Sequence, residues 1–388
     1  MLLDAPSCAA VERLDVAFFA PWIGPLLTAR PGSSSGGAET QILMLARGLA
    51  ARGLRVGLVV FADPRLELPT SVDGVTVVAI PASSARVALV RTSARVLRVC
   101  GTLWKLPSPV LVQRIAGPET GLLALLSKLR RRRFIYSSAN IVDFDYATLR
   151  TGRVKVWLFH LGVRLADAIV VQTPEQIELC ERRFSRTPTM IKSLAEPAEP
   201  RRSTPEAFLW VGRTDWYKHP EGYLALARAL PEARFWMVAM PMDQGGRQRV
   251  EELESEARTL ANLELLEARP RAELTALIEA AVAVVNTSDY EGMPNVFLEG
   301  WARGVPALAL SHDPDDVIER EGLGGFAAGS QERLAALARD LWERRGEQAE
   351  LAERCRAYVV RDHSIDAVVE RWLDVLRLTA RAQVAGGE

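Results

Sequence analysis

A chain of 388 residues exceeds what one hydrophobic core usually serves, so two domains of similar mass are expected. Hydrophobic residues at 48% and charged residues at 25% describe an ordinary globular protein and exclude collagen-like, fibrous and disordered classes. The formal net charge is zero, yet residues 1–195 carry 25 Lys+Arg against 14 Asp+Glu, so a basic half precedes an acidic one.

Along the chain, the N-terminal stretch MLLDAPSCAAVERLDV has no charged region followed by a long apolar run, and no uncharged segment is long enough to span a bilayer. Neither export by a visible signal nor integral membrane insertion is expected. Short apolar runs then alternate with amphipathic stretches: LDVAFFA (14–20), LRVGLVVF (54–61), VTVVAI (75–80), PVLVQRI (109–115), RFIYSSA (133–139) and AIVVQT (168–173). Between them lie helix-like segments such as TQILMLARGLAARG and GLLALLSKLRRRR. This alternation reads as βα units feeding a parallel sheet, because parallel strands need a crossover of roughly a dozen residues. The Pro- and charge-rich segment AEPAEPRRSTPE (195–206) reads as a linker. The alternation restarts with AFLWVGR (207–213), ARFWMVAM (233–240), LELLEA (263–268), AVAVVN (281–286) and VPALAL (305–310). From about Ser330 to Arg381 two or three helices are expected, with Trp342, Tyr358, Trp372 and Leu376 as packing positions. GLGGFAAG (322–329) reads as a turn. The four cysteines are scattered and form neither a CxxC pair nor a metal-ligand pattern, so reduced thiols are expected.

Three places can carry chemistry. In SDYEGMPNVFLEGWARG, Glu291 and Glu299 are eight positions apart, and the Gly-Met-Pro break leaves Glu291 in a loop with Glu299 on the following helix. One carboxylate can then meet a sugar and the other a ribose. The amides of Asn295 and Val296 become unsatisfied first-turn donors at the positive end of a helix, a site suited to a diphosphate. In VGRTDWYKHPEGYLALARAL, Arg213 closes a strand and Lys218 follows five residues later; two cations at a strand end before a helix would neutralise a leaving diphosphate. Near the N-terminus, Gly36 and Gly37 lie between the first strand and a periodic helix, where glycine permits close backbone approach and positive φ, and Glu39 suits the helix dipole. The same pair also reads as a plain strand-to-helix joint, and no GxGxxG fingerprint follows the strand.

The stretch from Glu291 to Glu299 resembles the E-x7-E signature of the retaining GT-B glycosyltransferases of the group 1, family 4 type. Arg213 with Lys218 looks like that family's phosphate clamp, and Gly36–Glu39 is similar to its Gly-Gly-Ala-Glu element. The resemblance covers nearly the whole chain and implies two Rossmann-like domains with parallel sheets facing a central cleft. It places an acceptor-side domain at 1–198, a nucleotide-sugar-binding domain at 207–363, and a C-terminal helix and tail at 364–388. It further implies transfer with retention from a nucleotide-diphosphate sugar to a glycan or lipid-linked acceptor, with no metal, no cofactor and no nucleic-acid partner. Glu291 would orient the sugar hydroxyls, Glu299 would bind the ribose, and Arg213, Lys218 and the amides of Asn295 and Val296 would hold the diphosphate. Where many relatives carry a His after the strand RFIYSSA, this chain has Asn140, followed by Asp143 and Asp145; Asn140 could donate a similar hydrogen bond without the charge. His160 reads as a packing or surface residue. Arg91, Arg95, Arg98 and Lys105 fall near one helical face, and Arg130 to Arg133 form a second cluster. These read either as solvated faces or as a surface resting on anionic lipid, which would put a cytoplasmic enzyme at the inner face of the cell membrane. The competing functional readings are a GT-B epimerase or phosphorylase and a non-catalytic nucleotide-sugar-binding scaffold. The lack of a lysine-bound cofactor segment weighs against a phosphorylase.

Overall fold

The structure, a computed structural model, describes residues 12–28, 36–63, 66–82, 88–144, 152–241, 244–267 and 271–385. The first sheet contains β1 (Val16–Phe19), β2 (Val56–Phe61), β3 (Ser71–Val72), β4 (Val75–Ile80), β5 (Val110–Arg114), β6 (Arg133–Ser137), β7 (Ala168–Val171) and β8 (Thr189–Met190). They lie in the order β3-β4-β2-β1-β5-β6-β7-β8, parallel throughout except where β3 pairs antiparallel with β4. The second sheet contains β9 (Ala207–Arg213), β10 (Phe235–Met240), β11 (Leu263–Leu266), β12 (Ala281–Asn286), β13 (Ala307–Ala309) and β14 (Gly324–Phe326), all parallel in the order β11-β10-β9-β12-β13-β14. The central strands are apolar along their length because helices cover both faces of each sheet; β1 and β12 are buried at every residue.

Each sheet reverses direction at its middle. From β1 the chain builds outward through β2 and then returns to lay β5 on the other side, and from β9 it does the same through β10 and back to β12. A crevice opens at such a reversal beyond the carboxyl ends of the strands, and this is where open α/β sheets bind ligands.

Every apolar run singled out in the sequence contains a strand. Two short edge strands, β3 and β8, escape notice because two-residue strands carry no period. The segment GLGGFAAG corrects the turn reading: it contains β14, the last strand of the second sheet. Its glycines mask the strand pattern, yet pairing demands one of them. Gly324 has φ of +148°, and a Cβ there would stand 1.9 Å from the Ala307 carbonyl oxygen.

The chain crosses between the two halves twice. The linker carries the first crossing, and Arg201 pins it by donating to the Ala281 carbonyl (2.8 Å) and the Gln348 side chain (2.7 Å). The second crossing follows His363. The C-terminal helix Ile365–Ala385 returns to the first half, where Val368, Val369, Trp372, Leu373 and Leu376 join the core cluster of Val16 and Phe18. It packs on the helix Gly37–Ala51, and Gly48 allows the crossing: a Cβ there would fall 2.6 Å from Val369 Cγ2. Trp372 and Leu376 thus serve the first half, whereas Tyr358 is buried in the second against Trp301. Among the described cysteines, Cys100, Cys180 and Cys355 are free thiols, and burial raises Cys180 to about 11; Cys8 lies outside the described residues.

Candidate active site

A cavity of about 460 Å³ lies between the carboxyl ends of the two sheets, bounded by the segments that follow β1, β5 and β6 on one side and β9 and β12 on the other. All eight residues singled out from sequence, Gly36, Gly37, Arg213, Lys218, Glu291, Asn295, Val296 and Glu299, line this one space.

The electrostatics centre on Glu291, which is 7% exposed. Lys218 Nζ forms an ion pair with Glu291 Oε1, and the same oxygen accepts from Ser288 Oγ (2.8 Å) and Asn286 Nδ2 (3.2 Å). Burial alone would push this carboxyl up, but the Lys218 charge and the three donors outweigh it and hold its pKa below the usual glutamate value. Asn286 is fixed in turn, its Oδ1 accepting from the Ser288 amide at 2.7 Å. Lys218 is placed by a short 3-10 turn Trp216–Lys218 after β9, and its carbonyl accepts from the Thr287 hydroxyl at 2.7 Å. The loops after β9 and β12 are therefore tied by side chain and backbone together.

Arg213 ends β9 and pairs with Asp215 at 2.8 Å, while donating to Tyr217 Oη at 3.3 Å. Burial favours its neutral form, but Asp215 and Tyr217 keep the guanidinium above its ordinary value. Desolvation pushes the Tyr217 hydroxyl up to about 12, so it stays a neutral donor.

The helix Asn295–Ala302 turns Phe297, Leu298 and Trp301 into the core and presents Asn295, Val296 and Glu299 to the cavity. Asn295 and Glu299 are four apart and share a face. Pro294 precedes the first turn with no side-chain cap, and the first-turn amides of Asn295 and Val296 have no carbonyl four residues back within the helix. Glu299 is not free in the cleft: Arg271 holds it at 2.9 Å and also reaches Glu196 at 3.1 Å. Burial raises the Glu299 carboxyl above its ordinary value in spite of Arg271.

Gly36 and Gly37 play a different part from the one their sequence suggests. Gly36 has φ of −68° and Gly37 opens the helix Gly37–Ala51, so neither uses a positive φ. The close approach that Gly37 permits is to the second half: a Cβ there would meet Asn295 Nδ2 at 2.6 Å, and Asn295 donates to the Gly37 carbonyl at 2.8 Å. Gln41, one turn along and missed in the sequence, completes this junction. Its Nε2 donates to the Leu194 carbonyl (2.7 Å) and Asn295 Oδ1 (3.0 Å), and its Oε1 accepts from the Leu194 amide (2.7 Å).

On the first-sheet wall, Asn140 caps the 3-10 turn Ile141–Asp143 through its Oδ1, which accepts from the Val142 amide at 3.2 Å. Asn140 also lines the cavity. Asp143 is spent locally, with Oδ2 accepting from Ala139 N–H (2.6 Å), Asn140 N–H (3.2 Å) and Ser138 Oγ (3.1 Å). Asp145 lies outside the described residues. Arg114, at the end of β5, also lines the cavity. His160 packs edge-on against Phe184 at 5.2 Å, away from the cleft.

The basic clusters divide. Arg132 is buried and caps the end of the helix Ala88–Lys105, donating to the carbonyls of Leu103, Trp104 and Leu106; burial lowers it to about 10. Arg95 lies over the Phe61 ring at 4.0 Å and the Trp22 ring at 4.6 Å, and Arg98 donates to the Pro81 carbonyl at 3.3 Å. The Arg91 side chain lies outside the described residues. Lys105, Arg130 and Arg131 remain exposed beside exposed Leu97, Trp104 and Leu129, with Val154 and Trp157 exposed on the neighbouring helix Arg153–Leu165. Among the described residues, no helix is long and apolar enough to cross a membrane and no group of three or more His, Cys, Asp and Glu is placed to hold a metal ion.

Of the residues that sequence reasoning missed, Arg271 had a signal, since it is a cation at the start of the helix just after β11, as Lys218 is a cation in the turn just after β9. Gln41 had a weaker one, a polar side chain inside the apolar run that precedes Ile42 and Leu45.

Two family models match consecutive stretches: a glycosyl transferase 4-like domain over residues 36–191 and glycosyl transferases group 1 over 192–360. No curated protein matches the chain by sequence. Among solved structures it is similar to sucrose-phosphate synthase from Thermosynechococcus elongatus, with 16% identity, a TM-score of 0.77, and 95% of this chain and 100% of that chain covered. It is also similar to Anabaena HepE in complex with UDP and glucose, with 16% identity, a TM-score of 0.72, and 94% and 100% covered. A third is WaaG, a glycosyltransferase involved in lipopolysaccharide biosynthesis, with 16% identity, a TM-score of 0.67, and 93% and 99% covered. With both sheets, the central cleft and the two consecutive matches in agreement, the chain belongs to the group 1 glycosyltransferases and has the GT-B fold.

Proposed function

We propose that this chain transfers a sugar, with retention of anomeric configuration and without a metal, from a nucleoside-diphosphate sugar to a glycan or lipid-linked acceptor. The observation that carries the reading is the convergence of two cations, a helix N-terminus, the buried Glu291 and the half-buried Glu299 on one cleft between the sheets. Arg213, Lys218 and the amides of Asn295 and Val296 are the groups that would take up the charge of the departing diphosphate. An ammonium has three donors, so Lys218 can keep Glu291 and still reach a phosphate oxygen; the Arg213 fork can likewise keep Asp215. Glu291, ionised and fixed on one oxygen, would orient the hydroxyls of the transferred sugar. Glu299 would receive the ribose, with Arg271 holding its carboxylate in place. The leaving phosphate oxygen would accept the acceptor's proton, since the buried carboxylate is already committed to Lys218.

The HepE structures hold UDP, glucose and UDP-glucose, which supports a nucleotide-sugar donor here, and the involvement of WaaG in lipopolysaccharide biosynthesis supports a glycolipid acceptor. A lipid-linked acceptor also suits the exposed Leu97, Trp104, Leu129, Val154 and Trp157 beside Lys105, Arg130 and Arg131, a surface that would rest on an anionic cytoplasmic leaflet.

The test is thermal stabilisation by UDP, GDP, ADP, dTDP and CMP, with Lys218→Ala alongside, followed by turnover of the matching sugar nucleotide. One diphosphate should raise the melting temperature only when Lys218 is present, and NMR should find the transferred anomer unchanged. No stabilisation by any nucleotide would sink the donor site, binding without release of sugar would favour a scaffold, and an inverted product would refute retention.

A further inference from the structure

The cations on the second-sheet side of the cleft each hold a carboxylate: Arg213 has Asp215, Lys218 has Glu291, and Arg271 has Glu299 and Glu196. Arg114 on the opposite wall is different. It sits at the carboxyl end of β5, beside the sheet's reversal point, and lines the same cavity. Its one hydrogen bond among the described residues runs from a terminal nitrogen to Ser137 Oγ at 3.3 Å. Its Nε is buried with no hydrogen-bond partner, and no described carboxylate lies within ion-pair distance. The acids whose fields reach it are Asp143, committed to the Ala139 and Asn140 amides and the Ser138 hydroxyl, the Tyr136 phenol, and Glu39, which also lines the cavity. Burial lowers the Arg114 pKa only to about 10, so the guanidinium stays charged near neutrality.

A half-buried cation with no carboxylate in direct contact is costly, and a guanidinium fork is shaped to grip a carboxylate or phosphate through paired N–H donors. The position narrows the ligand further. The groups suited to the donor diphosphate stand on the second-sheet side, so an anion at Arg114 approaches from the other side of the cleft, where an acceptor must enter. We propose that Arg114 binds an anionic group, a phosphate or a carboxylate, carried by the acceptor, and so selects acceptors bearing a phosphorylated or acidic sugar over neutral ones. The inference rests on the glycosyltransferase reading above, because it takes the second wall as the donor side.

The test uses the full chain saturated with the nucleoside diphosphate that stabilises it most, so that the donor side is filled. Inorganic phosphate is then titrated at constant ionic strength, exchanged against chloride, into the wild type, Arg114→Gln and Arg114→Lys. A saturable further rise in melting temperature is expected for the wild type. Its affinity should fall at least about tenfold in Arg114→Gln and less in Arg114→Lys, which keeps a charge but loses the fork, while nucleoside diphosphate binding stays the same in all three. Glucose 6-phosphate, glucuronate and glucose, compared in the same assay, separate phosphate from carboxylate as the recognised group. The proposal is overturned if phosphate stabilises the wild type no more than chloride, if Arg114→Gln responds like the wild type, or if glucose binds as well as both acidic sugars. Should Arg114→Gln fail to melt cooperatively, an unchanged phosphate affinity in Arg114→Lys overturns it equally. A wild type that binds no nucleoside diphosphate fails the donor reading itself, and this proposal falls with it.

Discussion

Replacing Lys218 by Met keeps side-chain length and removes the ammonium from Glu291. The carboxylate is 7% exposed and retains two neutral donors, Ser288 at 2.8 Å and Asn286 at 3.2 Å. Stripping one member from a buried ion pair costs about 3–5 kcal/mol, and the two surviving hydrogen bonds place the expected loss near the lower end, about 3 kcal/mol. Glu291→Gln should cost less, about 1 kcal/mol, because the Lys218 side chain is 17% exposed and can turn its charge toward water. In the double variant no buried charge is left unpaired, so it should be more stable than Lys218→Met alone, with a coupling energy of about 2 kcal/mol. The pH dependence follows from the same balance. With Lys218 gone, burial is the largest influence left on Glu291, and its folded-state pKa should rise above the unfolded value. The native state of Lys218→Met then binds a proton more readily than its unfolded chain, so its stability deficit should shrink as pH falls from 7 toward 5. Urea unfolding followed by fluorescence of Trp210 and Trp301, both buried in the second half, reads all four chains. A Lys218→Met variant within about 0.5 kcal/mol of wild type, or a double variant whose loss equals the sum of the singles, would refute the reasoning.

Gln41→Leu leaves the amide and carbonyl of buried Leu194 without partners and removes the donor to Asn295 Oδ1; a loss of about 2–4 kcal/mol is expected, together with weaker nucleoside diphosphate binding. Unchanged melting and unchanged affinity would show that the junction between the halves does not depend on Gln41. His363 is buried, donating through Nδ1 to the Ser193 carbonyl at 2.6 Å and accepting at Nε2 from Tyr358 Oη at 3.0 Å, and burial lowers it to about 4. Below its ordinary value of 6.5 the unfolded chain takes up a proton that native His363 refuses, so stability should decline between pH 6.5 and 4 by roughly 3 kcal/mol; a His363→Gln profile as steep as the wild type would count against this. Flotation with anionic vesicles should recover the protein at low salt and lose it as salt rises, and Trp157→Ala with Leu97→Ala should weaken recovery severalfold. Equal recovery on neutral vesicles would remove the basic residues from the contact.

Much of the cleft could be read in the sequence because its parts are local. Arg213, Lys218, Glu291 and the first turn after Pro294 each sit where a strand ends and a helix or loop begins, and the direction of parallel strands then carries them all to one side of the sheet. The residues that escaped are those whose meaning depends on distant chain. Gln41 looks like a blemish in an apolar stripe until Leu194 and Asn295 are brought to it. Arg271 needs Glu299 and Glu196, and the C-terminal helix needs the exposed flank of the helix Gly37–Ala51 to explain Trp372. Gly37 is the most instructive case. A glycine between strand and helix suggests room for a phosphate, and that room is taken here by Asn295 of the other half.

That substitution of roles bears on how the cleft works. Asn295 opens the helix whose first-turn amides are the diphosphate candidates, and its side chain is held by Gly37 and Gln41 of the first half. Gln41 in turn holds Leu194, next to the Ser193 carbonyl that His363 binds where the chain crosses over. The aim of the donor-side helix and the geometry of the crossing are therefore set by one continuous hydrogen-bonded path. A movement of the halves that separated Asn295 from Gly37 and Gln41 would break these contacts. A cleft assembled this way holds its cations, carboxylates and helix end in register before a donor arrives, and such preorganisation is what allows fixed charges to stabilise a developing one.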